Sequence, residues 1–213
     1  MDMNQLLNTY YASFHRCHPF VLPRPYLMSQ LQRDRSSVAP LLAVMAYIGS
    51  LYEALVRSEP YKQVANDKMA QMPLPQTGFT VQALLLFAIA LEWSNEMERA
   101  REVLEESKAL ALTLQMHRRE FAVQNGQASL VLEESWRRTW WEVFVIDALF
   151  AGIRKLPGYS LWSESYDADL PAEEHCYFSG VRISSLARAR WWRIGPETDN
   201  FPGYPSAAYS TGV

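Results

Sequence analysis

Cysteine is scarce in this sequence: Cys17 and Cys176 are the only two among 213 residues. Two thiols so far apart cannot build a disulfide framework or a four-thiolate zinc site, and a reducing compartment is the natural reading. Glycine is sparse too, with nine residues, which argues against glycine-rich β architectures. Histidine occurs four times, with no His-Glu-x-x-His, phosphate-cradling glycine loop or nucleophile elbow around it. A long basic run is also missing. The net charge is −3 with both signs spread along the chain, whereas nucleic-acid binders draw most of their affinity from neutralising phosphates. Direct DNA binding by this chain is therefore not expected. The opening residues Met1-Asp2-Met3-Asn4-Gln5 lack the basic and apolar regions of a secretory signal.

Apolar and aromatic residues, by contrast, are plentiful. They make up 49% and 13% of the chain, with seven Trp and eleven Tyr, enough for a real core in one large domain. The longest apolar run, residues 38–56, is broken by Ser50 and Glu53 and contains Pro40 and Gly49. A membrane span needs about 20 residues, so this run reads as a buried core helix and no membrane is expected.

Helical periodicity dominates the rest. Leu6, Leu7, Tyr10, Tyr11 and Phe14 predict a short amphipathic helix over residues 3–17, closed by His18-Pro19. Residues 20–25 read as an extended connector, and residues 26–33 as a short helix. Ser36 and Ser37 are candidate N-caps for a helix reaching about residue 57, and Pro60 is a candidate first residue of a helix to Met72. Thr80 is a candidate N-cap for a helix ending near Ser94-Asn95. Its face is Val81, Leu84, Leu85, Ala88 and Leu91. The next helix, residues 96–117, carries a stripe of Ala100, Val103, Leu104, Ser107, Leu110, Ala111 and Leu114. Glu98, Arg101, Glu102, Glu105 and Lys108 lie on its other side, with Arg101 and Glu105 spaced to pair. The short link makes these two helices an antiparallel hairpin. Residues 121–128 read as a polar turn, and residues 130–152 as the strongest helix. Residues 159–171 read as an ordered loop. The expected fold is all-α, a multi-helix bundle of antiparallel hairpins around a Trp-rich central helix, with domain limits 1–178 and an irregular tail at 179–213. No internal repeat is visible.

The decisive segment is residues 133–147, Glu-Glu-Ser-Trp-Arg-Arg-Thr-Trp-Trp-Glu-Val-Phe-Val-Ile-Asp. Glu133 with Arg137, and Glu134 with Arg138, are spaced for ion pairs in the favourable orientation. Trp136, Trp140 and Phe144 recur every four residues. Asp147 sits in an apolar run and needs a partner, because an unpaired buried charge is costly.

This segment resembles the fungal-specific transcription factor domain, the middle homology region of zinc-cluster regulators. The family pattern has charged residues, two Arg, a Thr, paired Trp, then an apolar stretch with an Asp. Here these are Arg137, Arg138, Thr139, Trp140, Trp141 and Asp147. Three flanking elements resemble the family in order: residues 6–26, the Gln82-bearing segment 80–86, and Leu114-Gln115-Met116-His117-Arg118. Asp167-Ala168-Asp169-Leu170-Pro171 resembles its closing acidic-Leu-Pro element. Gln115 stands where the family commonly has Gly, and Ala148 where an Arg often follows the Asp. The resemblance implies a regulatory or interaction domain of a regulator of RNA polymerase II transcription in the nucleus, serving a metabolic or secondary-metabolite pathway. It also implies protein partners or a small-molecule effector, and no catalysis. The six-cysteine zinc cluster is missing, so zinc is expected only in a DNA-binding module that this chain lacks, and the chain reads as truncated. Oligomeric state has no sequence signal.

Several groups admit two readings. His15, Cys17 and His18 suggest a metal, but neighbouring helix positions point apart and no second ligand cluster exists. Asp167 and Asp169 read as a metal-binding pair or, preferably, as loop caps. Arg188, Arg190, Trp191, Trp192 and Arg193 read as a nucleic-acid stack or, preferably, as Arg covering Trp. Arg137, Arg138 and Asp147 either line an effector pocket or hold the fold together, the second being favoured. An α-helical enzyme or a helical scaffold is the alternative function. The first lacks paired acidic motifs or an activated nucleophile, and the second lacks a period.

Overall fold

Capping side chains set where three of the main helices, those starting at residues 35, 78 and 130, begin. The computed structural model describes residues 2–71 and 73–179, and among them every regular element is helical. Helix α1, Met3–Thr9, runs straight into a π-helical segment, Tyr10–Phe14, in which His15 N donates to Tyr10 O at 3.0 Å. A connector then leads to α2, Arg24–Arg33, which starts two residues earlier than periodicity suggests, with Pro25 in its first turn.

Helix α3, Arg35–Leu51, is capped by Asp34 and not by Ser36 or Ser37. The Asp34 carboxylate instead accepts from the backbone N–H groups of both serines, at 3.1 and 3.2 Å. Acidic Asp at this position also meets the positive end of the helix dipole. The helix stops at Leu51, short of the expected end near residue 57. Helix α4, Glu59–Met69, carries Pro60 at its second position. The cap of α5, Gly78–Trp93, is Thr77, while the expected cap, Thr80, is fully buried and donates to Pro75 O at 2.5 Å.

Helix α5 is buried on every side from Gly78 through Leu91, because α3, α6 and α8 all pack on it. It forms the expected antiparallel hairpin with α6, Met97–Thr113. Helix α7, Arg119–Gln124, occupies part of the stretch read as a polar turn. Its Phe121 and Ala122 are buried, and the Phe121 ring meets Trp136 edge-on at 6.2 Å. Three consecutive apolar residues, Phe121 to Val123, leave no readable period. The longest helix is α8, Leu130–Ile153, followed by a 3₁₀ turn at Ser160–Ser163 and by α9, Glu174–Ser179. The basic-aromatic segment Arg188 to Arg193 and the rest of the tail beyond 179 lie outside the described residues.

Three helices end in the same reverse turn. Asn95, Gln115 and Lys155 take positive φ, at 63°, 61° and 55°. The next N–H in each case bonds back to the last turn, with Met116 N to Ala111 O at 2.9 Å as one example. This backbone form disfavours a Cβ. It gives a physical reason for Gly at the family position that Gln115 occupies here. No described helix is long and apolar enough to cross a membrane.

Candidate functional site

Helix α8 supplies most of the signature side chains, and it uses them at three stations. Its first turn is capped by Ser129, whose Oγ accepts from Leu132 N at 3.3 Å. Glu133 and Glu134 then sit near the positive end of the helix dipole.

At the first station, one turn of α8 grips two chain segments remote in sequence. The Glu134 carboxylate accepts from Arg138 Nε at 3.0 Å, Arg137 Nε at 3.0 Å and the Ala172 backbone N–H at 2.6 Å. Arg138 donates onward to Pro19 O at 3.2 Å and Ala172 O at 2.6 Å, with its guanidinium 4.5 Å above the Tyr177 ring. The expected Glu133–Arg137 pair is present at 3.7 Å. Burying such charges is costly unless every donor and acceptor is met, and here the fork of Arg138 is nearly filled. Pro171 sits immediately before the Ala172 that this pair clamps.

Gln82 reaches the same connector from α5. Ser135 and Thr139 already give their hydroxyl protons away, to Phe20 O and Ser135 O, both at 2.7 Å. Their oxygens therefore accept from Gln82 Nε2, at 3.0 and 2.8 Å, which fixes the orientation of the amide. Two more groups hold Val21 O: Tyr177 Oη at 2.9 Å and His15 Nε2 at 2.8 Å. Burial, the dominant cause, pushes the Tyr177 hydroxyl pKa up and that of His15 down. Tyr11 Oη donates to Leu22 O at 2.7 Å. Residues 20–22 thus run buried, and the carbonyls of 19–22 are satisfied by side chains, which is how an irregular segment can cross a core.

The second station fastens residues 167–169, which follow the 3₁₀ turn, to the turn that precedes α7. His117 O accepts from Asp167 N and Ala168 N, each at 3.1 Å, and the His117 ring lies 5.7 Å from Trp140. Asp167 accepts from Arg119 N, the first residue of α7, at 3.1 Å, and Asp169 pairs with Arg119 at 3.2 Å. Trp141 Nε1 donates to Asp169 O at 2.9 Å. The two aspartates therefore cap and pair within the fold. Trp140 is fully buried, and its Nε1 has no hydrogen-bond partner among the described residues.

The third station belongs to Asp147. Lys108, which the α6 pattern places on the solvent side, is buried and donates to Asp147 at 2.7 Å, Glu105 at 2.7 Å and Ser160 at 2.7 Å. Asp147 also accepts from Leu161 N at 2.9 Å. The expected Arg101–Glu105 pair is replaced by Arg101–Glu98 at 3.2 Å, since Glu105 turns to Lys108. Charge alone placed Lys108 outside; only its position one residue after buried Ser107 hinted otherwise.

No group of three or more metal-ligating side chains occurs among the described residues. His18 pairs with Glu142 at 2.6 Å, His15 faces Val21 and Cys17 is exposed, so these three do not converge. The signature positions Gln82, His117, Arg137, Arg138, Trp140, Trp141, Asp147, Asp169 and Pro171 are instead distributed among the three stations.

The order of these segments along the chain matches a family model, "Fungal specific transcription factor domain", over residues 7–188. The chain belongs to that family. This fungal transcription factor domain is also similar to the C6 finger domain transcription factor iacK of Pestalotiopsis fici, at 37% identity over 176 residues. The match covers 82% of this chain and 26% of that protein, so the chain spans about a quarter of its relative's length. No solved structure matches it significantly. The family and the relative are transcription factors, which sets the domain in transcription regulation and not in catalysis.

Proposed function

We propose that this domain is the regulatory and interaction part of a fungal regulator of RNA polymerase II transcription. It acts in the nucleus, on genes of a metabolic or secondary-metabolite pathway, through a protein partner or a small-molecule effector. It makes no DNA contact of its own. The observation that carries this reading is the buried polar grip of Glu134, Arg138, Ser135 and Gln82 on residues 19–22 and 172. Such a network holds several segments in one arrangement and releases them together when a member is lost. An effector that binds the gripped and released arrangements with different affinity shifts their populations, by about 5.5 kcal/mol of difference for a complete switch.

The test fuses all 213 residues to a heterologous DNA-binding module in a fungal reporter strain. The fusion is expected to enter the nucleus and change reporter output relative to the module alone, and Arg138→Ala is expected to alter that change. Output identical to the module alone would sink the reading. Salt-dependent binding of the isolated chain to DNA would sink its DNA-free part.

A further inference from the structure

A cleft of about 640 Å³ opens beside the gripped connector, between the π-helical segment and α9. Tyr11, Pro23 and Phe178 give it apolar walls, and Arg16, Arg24 and Glu174 give it charge. Its wall includes the π turn, a local geometry that recurs at functional sites because it re-aims side chains. Here the turn directs Tyr11 and His15 towards the connector, where they bond Leu22 O and Val21 O.

Neither guanidinium has an ion-pair partner among the described residues, and Arg16 is exposed. Arg24 is half-buried, and its Nε is shielded from solvent with no hydrogen-bond acceptor. By contrast, Arg138 donates to Ala172 O at 2.6 Å, and Arg154 donates to Glu92 at 2.7 Å and Met97 O at 2.6 Å. A guanidinium on the wall of a cleft with no acidic partner from the fold can take an anion supplied from outside.

We propose that this cleft binds a small organic monocarboxylate with an aromatic or apolar body. A guanidinium presents paired N–H groups in the spacing of a carboxylate, and Tyr11, Pro23 and Phe178 offer the body an apolar surface. Charge selects the monoanion. Two guanidiniums and one carboxylate, that of Glu174, line the cleft, and the carboxylate disfavours a second negative charge on the ligand. Burial keeps the neighbouring His15 neutral near pH 7, so it adds no further cation. Pro19, whose carbonyl Arg138 holds, also lines the cleft. A ligand seated there rests on the segment gripped by α8, and thereby gains a route to the polar network. The biological meaning of this site rests on the regulatory reading above; the binding itself does not.

The test titrates benzoate, its neutral isostere benzamide and phenyl phosphate into the full chain by calorimetry. Benzoate is expected to saturate, with benzamide and phenyl phosphate each about tenfold weaker, a difference of about 1.4 kcal/mol. Arg24→Gln is expected to weaken benzoate about tenfold with little change in the thermal melt, because Arg24 has no ion-pair partner among the described residues to lose. Glu174→Gln is expected to narrow the gap between phenyl phosphate and benzoate. No saturation by about 10 mM benzoate, equal binding of benzamide, or unchanged affinity in both Arg24→Gln and Arg16→Gln would overturn the proposal. The reporter assay separates the two claims. A silent fusion with intact benzoate binding removes the regulatory reading alone, and an active fusion without binding removes the cleft alone.

Discussion

Replacing Lys108 by Met would remove the cation from a site where Asp147 stays buried. Both side chains are nearly sealed, at 5% and 7% exposure. The aspartate would keep Leu161 N and the Ser160 hydroxyl as donors, but no positive charge. Breaking a buried pair from one side costs about 3–5 kcal/mol, since the partner's desolvation is no longer offset. For a chain of this size that corresponds to a fall in Tm of about 10 °C. Asp147→Asn alone strands the ammonium in the same way, although Glu105 remains 2.7 Å from it, so its loss should be smaller. The double variant, Lys108→Met with Asp147→Asn, removes both charges and keeps an acceptor for Leu161 N. It should recover about 2 kcal/mol relative to the sum of the single losses. Urea unfolding followed by circular dichroism and Trp fluorescence reads all four corners of this cycle. A Lys108→Met loss below about 0.5 kcal/mol, or strict additivity of the two substitutions, would refute the claim that this pair is a desolvated, coupled unit.

Three further outcomes are expected. Gln115→Gly should raise stability by about 0.5–1 kcal/mol in the same urea assay, because it relieves a side chain held at φ 61°. Gly49→Ala should lower it by about 2–3 kcal/mol, because the added Cβ would run into the Leu6 carbonyl and push α1 off α3. Acidification should destabilise the domain through His15. Its pKa is lowered in the folded state, chiefly by burial, so below about pH 6.5 the unfolded chain takes up a proton that the folded one refuses. Stability then falls with pH until the folded pKa is passed and levels off beneath it. His15→Gln should flatten that slope, leaving the share of His117, whose pKa burial also lowers. An unchanged slope in His15→Gln would remove His15 from this role.

By itself, the sequence determined the helices with long apolar periods. Residues 96–117 and 130–152 carry repeating contacts, so the α5–α6 hairpin and α8 follow from spacing alone. It also determined that Asp147 needs a partner and that Glu133 and Glu134 pair along α8, since these depend on positions within one helix. It left unreadable whatever depends on two segments meeting. Asp34 caps α3 and Thr77 caps α5 where a neighbouring Ser or Thr was equally plausible, because the choice lies in backbone angles set by how each helix is entered. Lys108 is charged, and only the approach of α8 to α6 turns it inward to Asp147. Short α7 and α9 have too few residues for a period, yet they are held by Trp136 and by Arg138 over Tyr177. The cleft beside residues 15–25 is likewise invisible in the sequence. Its two arginines and its carboxylate come from segments about 150 residues apart, and only tertiary packing leaves the first two unpaired beside the third.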